Sequence, residues 1–326
     1  MKLFKIIFLL LGLLLLGWVI DSTNLIETWD LVRQIGYGFI LVLAIYLIAF
    51  VFDSLAWQLT ILSAPLTSRW LYYLFEIKLA GEAFNNILPA ASIGGEPIKA
   101  LLLKNSHNIN YNESIASLIL VRTINTIALI LFLTVGFILI LESDILEIKY
   151  YSIAGTGLAT LISLIFLFFT IQRFKLTSVI SKALSRQRGF GWLSNFLHHI
   201  NSVDEKLVIF YTAQHGRAAI SFALAFCNWV LGVGEIMITM HFLGHPVTLT
   251  DAWIIEAIAQ LVRAATFFIP ASIGAQEGAF LVIGSAVTGS PTLGLSMAII
   301  RRAREIIWIS WGLIAFYKHK PNIANE

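Results

Sequence analysis

Hydrophobic residues dominate the chain and form long runs that are separated by short polar stretches. Six of these runs approach the roughly 20 apolar residues that a helix needs to cross a bilayer. The first run follows two lysines, as in a signal peptide, but no small-x-small cleavage site comes after it. We therefore expect an uncleaved first helix, followed by a loop at 21–34. The predicted spans lie at about 3–20, 35–57, 115–141, 150–171, 217–243 and 293–317.

Two further segments, at about 70–104 and 251–289, are hydrophobic but interrupted by helix-breaking residues. We expect each to form two half-helices that meet inside the membrane, because proline and glycine disrupt a continuous helix. In both, a proline precedes a glutamate by seven residues, with Ser-Ile-Gly between them. The sequence thus predicts an all-α polytopic membrane protein with about six spans and two re-entrant segments. The residues of the two breaks are Pro89, Gly94, Gly95 and Glu96, then Pro270, Gly274 and Glu277.

The distribution of basic residues predicts the topology, because Lys and Arg mark the cytoplasmic side. Both termini, the loop at Arg69 and the polar segment 172–216 are basic, whereas the loops at 21–34, 142–149 and 244–250 are acidic or neutral. Both termini are therefore expected in the cytoplasm, with the two re-entrant segments entering from opposite sides. Segment 172–216 also has apolar residues at helical spacing. This fits either an amphipathic helix on the membrane surface or a helix packed on cytoplasmic loops.

The two halves of the chain correspond when the first is shifted by 180 to 182 residues. Each half contains two spans, a broken pair and a further span, and the predicted halves run in opposite directions. We interpret the chain as one membrane domain, 1–326, built from an inverted repeat (about 1–141 and 150–317) with 172–216 inserted. Such repeats are typical of transporters with a binding site at the midplane, although a duplication kept only for stability is the alternative. The matched pairs include Asp53 with Glu235, Glu76 with Glu256, Pro89 with Pro270, Glu96 with Glu277, and Arg122 with Arg304.

The composition agrees with a membrane protein and excludes several other classes. Hydrophobic residues make up 58% of the chain and charged residues only 13%, whereas soluble domains carry roughly 25% charged residues. The single cysteine, Cys227, excludes an intramolecular disulfide. The sequence contains no Cys, His and acidic set with metal-ligand spacing and no nucleotide fingerprint after a strand. We therefore expect no metal, no cofactor and no nucleic acid partner.

Charged residues inside the hydrophobic segments are the candidate site. A charge at the bilayer centre costs roughly 2.5–3.5 kcal/mol on insertion scales, so these residues must pair or face a polar cavity. Glu96 and Glu277 follow breaks, where a carboxylate either caps a half-helix or contacts a ligand. Arg122 is either an ion-pair partner of a nearby glutamate, Glu82 or Glu96, or a ligand contact. The candidate substrate-binding residues are Glu82, Asn85, Asn86, Pro89, Gly94, Gly95, Glu96, Arg122, Arg263, Pro270, Gly274, Glu277, Arg301 and Arg304.

Two further groups of charges leave alternatives open. The arginines at 301, 302 and 304 suggest an anionic or phosphate-like head group near Glu277, unless they extend to the outer interface. Asp53 and Glu235 either carry protons or hydrogen-bond a neighbouring helix.

At these motifs the chain resembles the membrane domain of bacterial lysylphosphatidylglycerol synthases and their stand-alone, UPF0104-type flippase-like relatives. The resemblance covers nearly the whole chain, and the run at 302–305 looks most like the hopanoid-locus branch. The chain departs from the family pattern at Ala90 and Ala275, where glycine is common, and at Asn125, where aspartate is common. The resemblance rests on Asn85-Asn86-Ile87-Leu88-Pro89, on Gly94-Gly95-Glu96, on Pro270 with Gly274 and Glu277, and on Arg122 near the start of a following span.

In the bifunctional synthases, the related membrane domain is thought to move the modified lipid between leaflets, while a separate cytoplasmic domain transfers the amino acid. We expect no such domain in this chain, because no soluble segment up to Glu326 is long enough to form one. The resemblance therefore implies a non-enzymatic lipid translocator of the bacterial inner membrane, with a sterol-like or polyprenoid cargo in the hopanoid-like branch. The alternatives are an enzyme or enzyme subunit that acts on a lipid, and a docking protein for lipid-synthesis enzymes.

Overall fold

The computed structural model describes residues 2–87, 94–107, 109–143, 152, 155–160, 162–163, 209–210 and 212–319. Within these ranges the regular elements are helices, with no strand. The predicted span at 150–171 and the segment 172–216 fall largely outside them, as does Pro89. The helices are α1 (Lys2–Asp21), α2 (Leu25–Gln34), α3 (Gly38–Thr60), α4 (Ser68–Ile87), α5 (Glu96–His107), α6 (Tyr111–Glu142), α7 (His215–Phe242), α8 (Leu249–Ala265), α9 (Ala275–Thr288) and α10 (Pro291–His319).

Three helices in the described part of the chain, α3, α6 and α7, are long and apolar enough to cross a membrane. They coincide with the predicted spans at 35–57, 115–141 and 217–243. Helix α10 occupies the last predicted span, but its middle turns carry three arginines and a glutamate. Arg301, Arg304 and Glu305 are buried against other helices, as charges within a membrane protein must be. The chain is therefore an all-α polytopic membrane protein.

Residues 21–34 do not form the loop that the sequence predicts. Helix α2 occupies most of this range and meets the preceding helix at 89°. Its start is capped by Asn24, whose side chain accepts hydrogen bonds from the N–H groups of Ile26 and Glu27. Thr28 is buried, and Leu31 packs against the main core. The loop prediction was wrong because the polar residues of an amphipathic helix were taken for those of an irregular connection.

Both broken segments are present. Helix α4 ends at Ile87 and α5 begins at Glu96, whereas α8 ends at Ala265 and α9 begins at Ala275. The second break contains a short 3₁₀ turn, Pro270–Ser272, and three residues with positive φ: Ala271, Ser272 and Gly274. A Cβ atom on Gly274 would lie 2.1 Å from the carbonyl oxygen of Gly12. Only glycine therefore allows α1 to pack against this break.

The helices of the two halves match in order and spacing. From α7 to α10, each helix begins 177 to 181 residues after its counterpart among α3 to α6. Helices α3 and α7 pack antiparallel, because Gly38 lies against Phe242 and Ile45 against Gly234. Further along, the Ser221 hydroxyl donates a hydrogen bond of 3.2 Å to the carbonyl of Ala56. This geometry supports the inverted repeat, which remains a prediction.

Candidate functional site

A cavity of about 390 Å³ lies where α3, α4, α5, α6, α7, α8 and α10 converge. Its wall is rich in ionisable side chains, six of them cationic and five acidic. Carboxamides line it as well, at Asn85, Asn86, Asn125, Asn228 and Gln260. Because such charges are costly in hydrocarbon, this cavity among apolar helices is the candidate functional site. The charged residues are Asp53, Lys78, Glu82, Glu96, Lys99, Arg122, Glu235, Glu256, Arg263, Arg301 and Arg304.

Lys99 of α5 links the two half-helices on either side of the first break. Its ammonium lies 2.6 Å from the carboxylate of Glu82 on α4 and 3.0 Å from that of Glu96. The N–H of Gly95 donates to the side chain of Asn85 at 2.7 Å. A Cβ atom on Gly81 would lie 2.3 Å from Cε of Lys99, so glycine gives the lysine stem its place. These contacts hold the two half-helices together and bring Glu82, Asn85 and Glu96 to the cavity.

The second break is held by a different arrangement. One oxygen of Glu277 accepts the Gly274 N–H at 2.7 Å, which caps α9. The other oxygen accepts two hydrogen bonds from Arg302, at 2.5 and 2.8 Å. Arg302 also donates to the carbonyl of Ala271 and pairs with Glu305 at 2.8 Å. Pro270, Gly274 and Glu277 do not line the cavity, so their geometry favours the capping interpretation.

Arg301 and Arg304 form a buried ion-pair network rather than extending to the membrane surface. Arg301 binds Glu256 at 2.6 Å and lies 3.4 Å from Glu235. Arg304 binds Glu235 directly and stacks over the ring of Tyr46, with 3.7 Å from its guanidinium carbon to the ring centre. Glu235 is thus shared between two arginines.

Arg263 connects the two broken segments. Its guanidinium lies 3.2 Å from Glu305 and 3.5 Å from the side-chain oxygen of Asn86 on α4. Gln276 donates to the same oxygen of Glu305 at 3.3 Å. The side chain of Arg263 is 38% exposed, so it remains accessible from the cavity.

Asp53 is held in an ion pair as well. Lys78 binds its carboxylate at 2.5 Å and its backbone carbonyl at 3.0 Å. Asn125 donates to the second carboxylate oxygen at 2.9 Å. Both residues predicted as alternative proton carriers, Asp53 and Glu235, therefore have cationic partners in this structure.

Arg122 is the exception among the cavity cations. It lies three turns into α6, and its exposed side chain lines the cavity. Across the described ranges it forms no ion pair, since Glu82 and Glu96 share Lys99 instead. The Thr126 hydroxyl donates to the backbone carbonyl of Arg122.

Sequence reasoning missed several members of the site. Lys78, Glu256, Gln260, Asn125 and Asn228 all line the cavity but were not among the candidates. Their common signal is helical spacing, since Lys78 stands four residues before Glu82 and Asn125 three after Arg122. No group of His, Cys and acidic residues in the described part of the chain has the arrangement to hold a metal ion.

Comparisons with known proteins identify the family. Residues 5–311 match the family model described as the lysylphosphatidylglycerol synthase TM region. A UPF0104 membrane protein of Methanothermobacter thermautotrophicus is 22% identical over 262 residues, which cover 73% of this chain and 72% of that protein. No solved structure is significantly similar to the chain. Because the family model covers nearly the whole sequence, the chain belongs to the lysylphosphatidylglycerol synthase TM region family.

Proposed function

We propose that this protein is a lipid translocator of the bacterial cytoplasmic membrane, which passes a polar head group between leaflets while the acyl or polyprenoid tail stays in the bilayer. The observation that carries the proposal is the charged cavity between two broken helical segments. A head group meets its main barrier in the hydrocarbon core, where polar groups are costly. A cavity lined by charged and amide groups replaces the water that the head group loses.

The ion pairs suggest how the cavity could change shape. Lys99 ties α5 to α4, and Arg263 of α8 reaches Glu305 on α10 and Asn86 on α4. Lys99 and Arg263 thus each have a partner on another helix or half-helix that they can exchange for a head group. In the predicted inverted repeat, the two broken segments would open the cavity to opposite sides in turn.

The cargo class follows from the family resemblance and belongs to the proposal. The hopanoid-like branch implies a sterol-like or polyprenoid lipid. The membrane domain of the bifunctional synthases implies a phospholipid. Either class of lipid would place a polar head group in the cavity and a long apolar tail outside it.

Leaflet exchange in liposomes that contain the purified protein tests this function. Lipids with a fluorescent head group would be followed by chemical quenching of the outer leaflet, for anionic, zwitterionic and polyprenoid species. The wild type should exchange at least one of them rapidly, and the double variant Glu82→Gln/Glu96→Gln should lose the activity. Asp30→Asn on α2, an exposed acid away from the cavity, is the matched control and should retain it.

Protein shown to be folded that exchanges none of these lipids would overturn the proposal. That result would direct attention to a membrane subunit or docking protein in lipid synthesis.

A further inference from the structure

The cavity contains one cation without an acidic partner in the described part of the chain. Lys78 is paired with Asp53, Lys99 with Glu82 and Glu96, and Arg263 with Glu305. Arg301 and Arg304 are paired with Glu256 and Glu235. Arg122 remains, with its side chain exposed to the cavity. Within the described residues no carboxylate lies within ion-pair distance of this guanidinium, so Arg122 is the cavity cation most open to an anionic ligand.

The predicted repeat offers a reason why Arg122 forms no ion pair within the described residues. In the sequence correspondence Arg122 matches Arg304, and Asp53 matches Glu235. Arg304 binds Glu235 in the second half, whereas the equivalent carboxylate of Asp53 is occupied by Lys78.

The residue that corresponds to Lys78 in the second half lies at 258–260, and this stretch contains no cation. Gln260 there donates to Glu256 at 2.6 Å. In the first half, Lys78 therefore binds Asp53, the acid that the predicted repeat would pair with Arg122.

The surroundings of Arg122 fit a phosphate oxyanion. A guanidinium binds two phosphate oxygens through parallel N–H groups. Asn228 also lines the cavity, and its carboxamide has no hydrogen-bond partner among the described residues, so its NH₂ group can act as a second donor. Each acid on the same wall has a cationic partner, with Glu82 and Glu96 sharing the single ammonium of Lys99, and these pairs reduce the repulsion of an anion.

We infer that Arg122 binds the phosphate group of a lipid head group in this cavity. The inference rests on the proposed function for the lipid source of the phosphate, because a free phosphate ion would offer the same oxygens. Binding by Arg122 needs no movement between leaflets, so it can be measured separately from exchange.

The test is a binding titration on the full-length protein in an uncharged detergent. Three probes are compared: dihexanoyl phosphatidic acid, dihexanoyl glycerol and inorganic phosphate. The wild type should bind the phosphatidic acid more tightly than phosphate and should not bind the phosphate-free lipid. Arg122→Gln should weaken phosphatidic acid binding by roughly 10- to 100-fold, the range for a lost charge-assisted hydrogen bond. Arg122→Lys should bind phosphatidic acid with an affinity between those of the wild type and Arg122→Gln, because it keeps the charge but loses the paired donors.

Arg33→Gln, which removes an exposed arginine of α2, is the matched control and should bind like the wild type. Thermal melting of each variant establishes that it is folded. Equal phosphatidic acid binding by Arg122→Gln, or equal binding of dihexanoyl glycerol by the wild type, overturns the inference. Inorganic phosphate that binds as tightly as the lipid overturns the lipid source.

The exchange assay separates the two proposals. Phosphatidic acid binding without leaflet exchange refutes the translocator function and leaves the site standing. Exchange that Arg122→Gln does not affect, with no phosphate binding, refutes the site alone.

Discussion

Lys99 of α5 lies 2.6 Å from the carboxylate of Glu82 on α4 and so joins the two half-helices of the first broken segment. The same ammonium binds Glu96 at 3.0 Å. One buried cation therefore bridges two acids across the break.

Replacing Lys99 should destabilise the protein because it leaves two neighbouring carboxylates without a cation. Removing one partner of a buried pair costs about 3–5 kcal/mol. We expect the lower end for Lys99→Gln because the side chain of Glu82 is 35% exposed. Thermal melting in detergent measures the effect, and adding Glu82→Gln should restore part of the loss. An unchanged melting temperature in Lys99→Gln would show that the pair does not hold the break.

The stability effects of Arg304 and Arg122 should differ, although the two residues correspond in the predicted repeat. Arg304→Gln breaks a buried ion pair with Glu235, so it should cost about 3–5 kcal/mol. Arg122→Gln removes no ion pair from the described part of the chain and should stay within about 0.5 kcal/mol. Chemical denaturation of both variants gives the comparison. A double-mutant cycle of Arg304 with Glu235 should yield a coupling energy that accounts for most of the larger loss.

Gly95→Ala should disrupt the packing of α5 against α4 at the first break. A Cβ atom at this position would lie 1.9 Å from the carbonyl oxygen of Gly81 and 3.0 Å from Asn85 Oδ1. Overpacking of this kind typically lowers the free energy of unfolding by about 1–3 kcal/mol. Here it would also displace Asn85, which lines the cavity. Both the melting temperature and the exchange rate should therefore fall.

The control for Gly95→Ala is Gly17→Ala in α1, where an added Cβ atom meets nothing within 4 Å. This change should be neutral or slightly stabilising, because alanine favours a helix more than glycine does. Equal behaviour of the two variants would argue against a close contact between Gly95 and α4.

Glu277→Gln and Glu96→Gln should separate stability from transport. Glu277 caps α9 and binds Arg302 outside the cavity wall, so its replacement should lower stability but leave exchange per folded molecule unchanged. Glu96 lines the cavity and should affect exchange. The measurement is the exchange rate normalised to folded protein in the liposomes. A loss of exchange in Glu277→Gln equal to that in Glu96→Gln would place both glutamates on the lipid path.

Much of the architecture could be predicted from the sequence because spans and breaks have strong local signals. Runs of apolar residues located α3, α6 and α7, and proline and glycine located both breaks. Helix α2 was missed because it has only 10 residues and mixes apolar with polar ones, so it forms no continuous apolar run. Amphipathic character depends on spacing rather than on total hydropathy.

The candidate site was less predictable, because pairing between charges depends on three-dimensional contacts. The sequence showed which charges lie in hydrophobic segments, and most of them line the cavity. It did not show that Lys78 binds Asp53. Because of this pair, Arg122 forms no ion pair with Asp53. It also suggested that the arginines of α10 meet Glu277, whereas only Arg302 does so in the structure.

The exposed guanidinium of Arg122 has a consequence for the salt dependence of binding. When no head group is bound, a small anion from the surrounding solution can occupy the exposed guanidinium of Arg122. Binding of a lipid phosphate is then an exchange of anions rather than a simple association. Its apparent affinity should fall as the concentration of chloride or sulfate rises, and the entropy of the released ion becomes part of the driving force for loading the cavity.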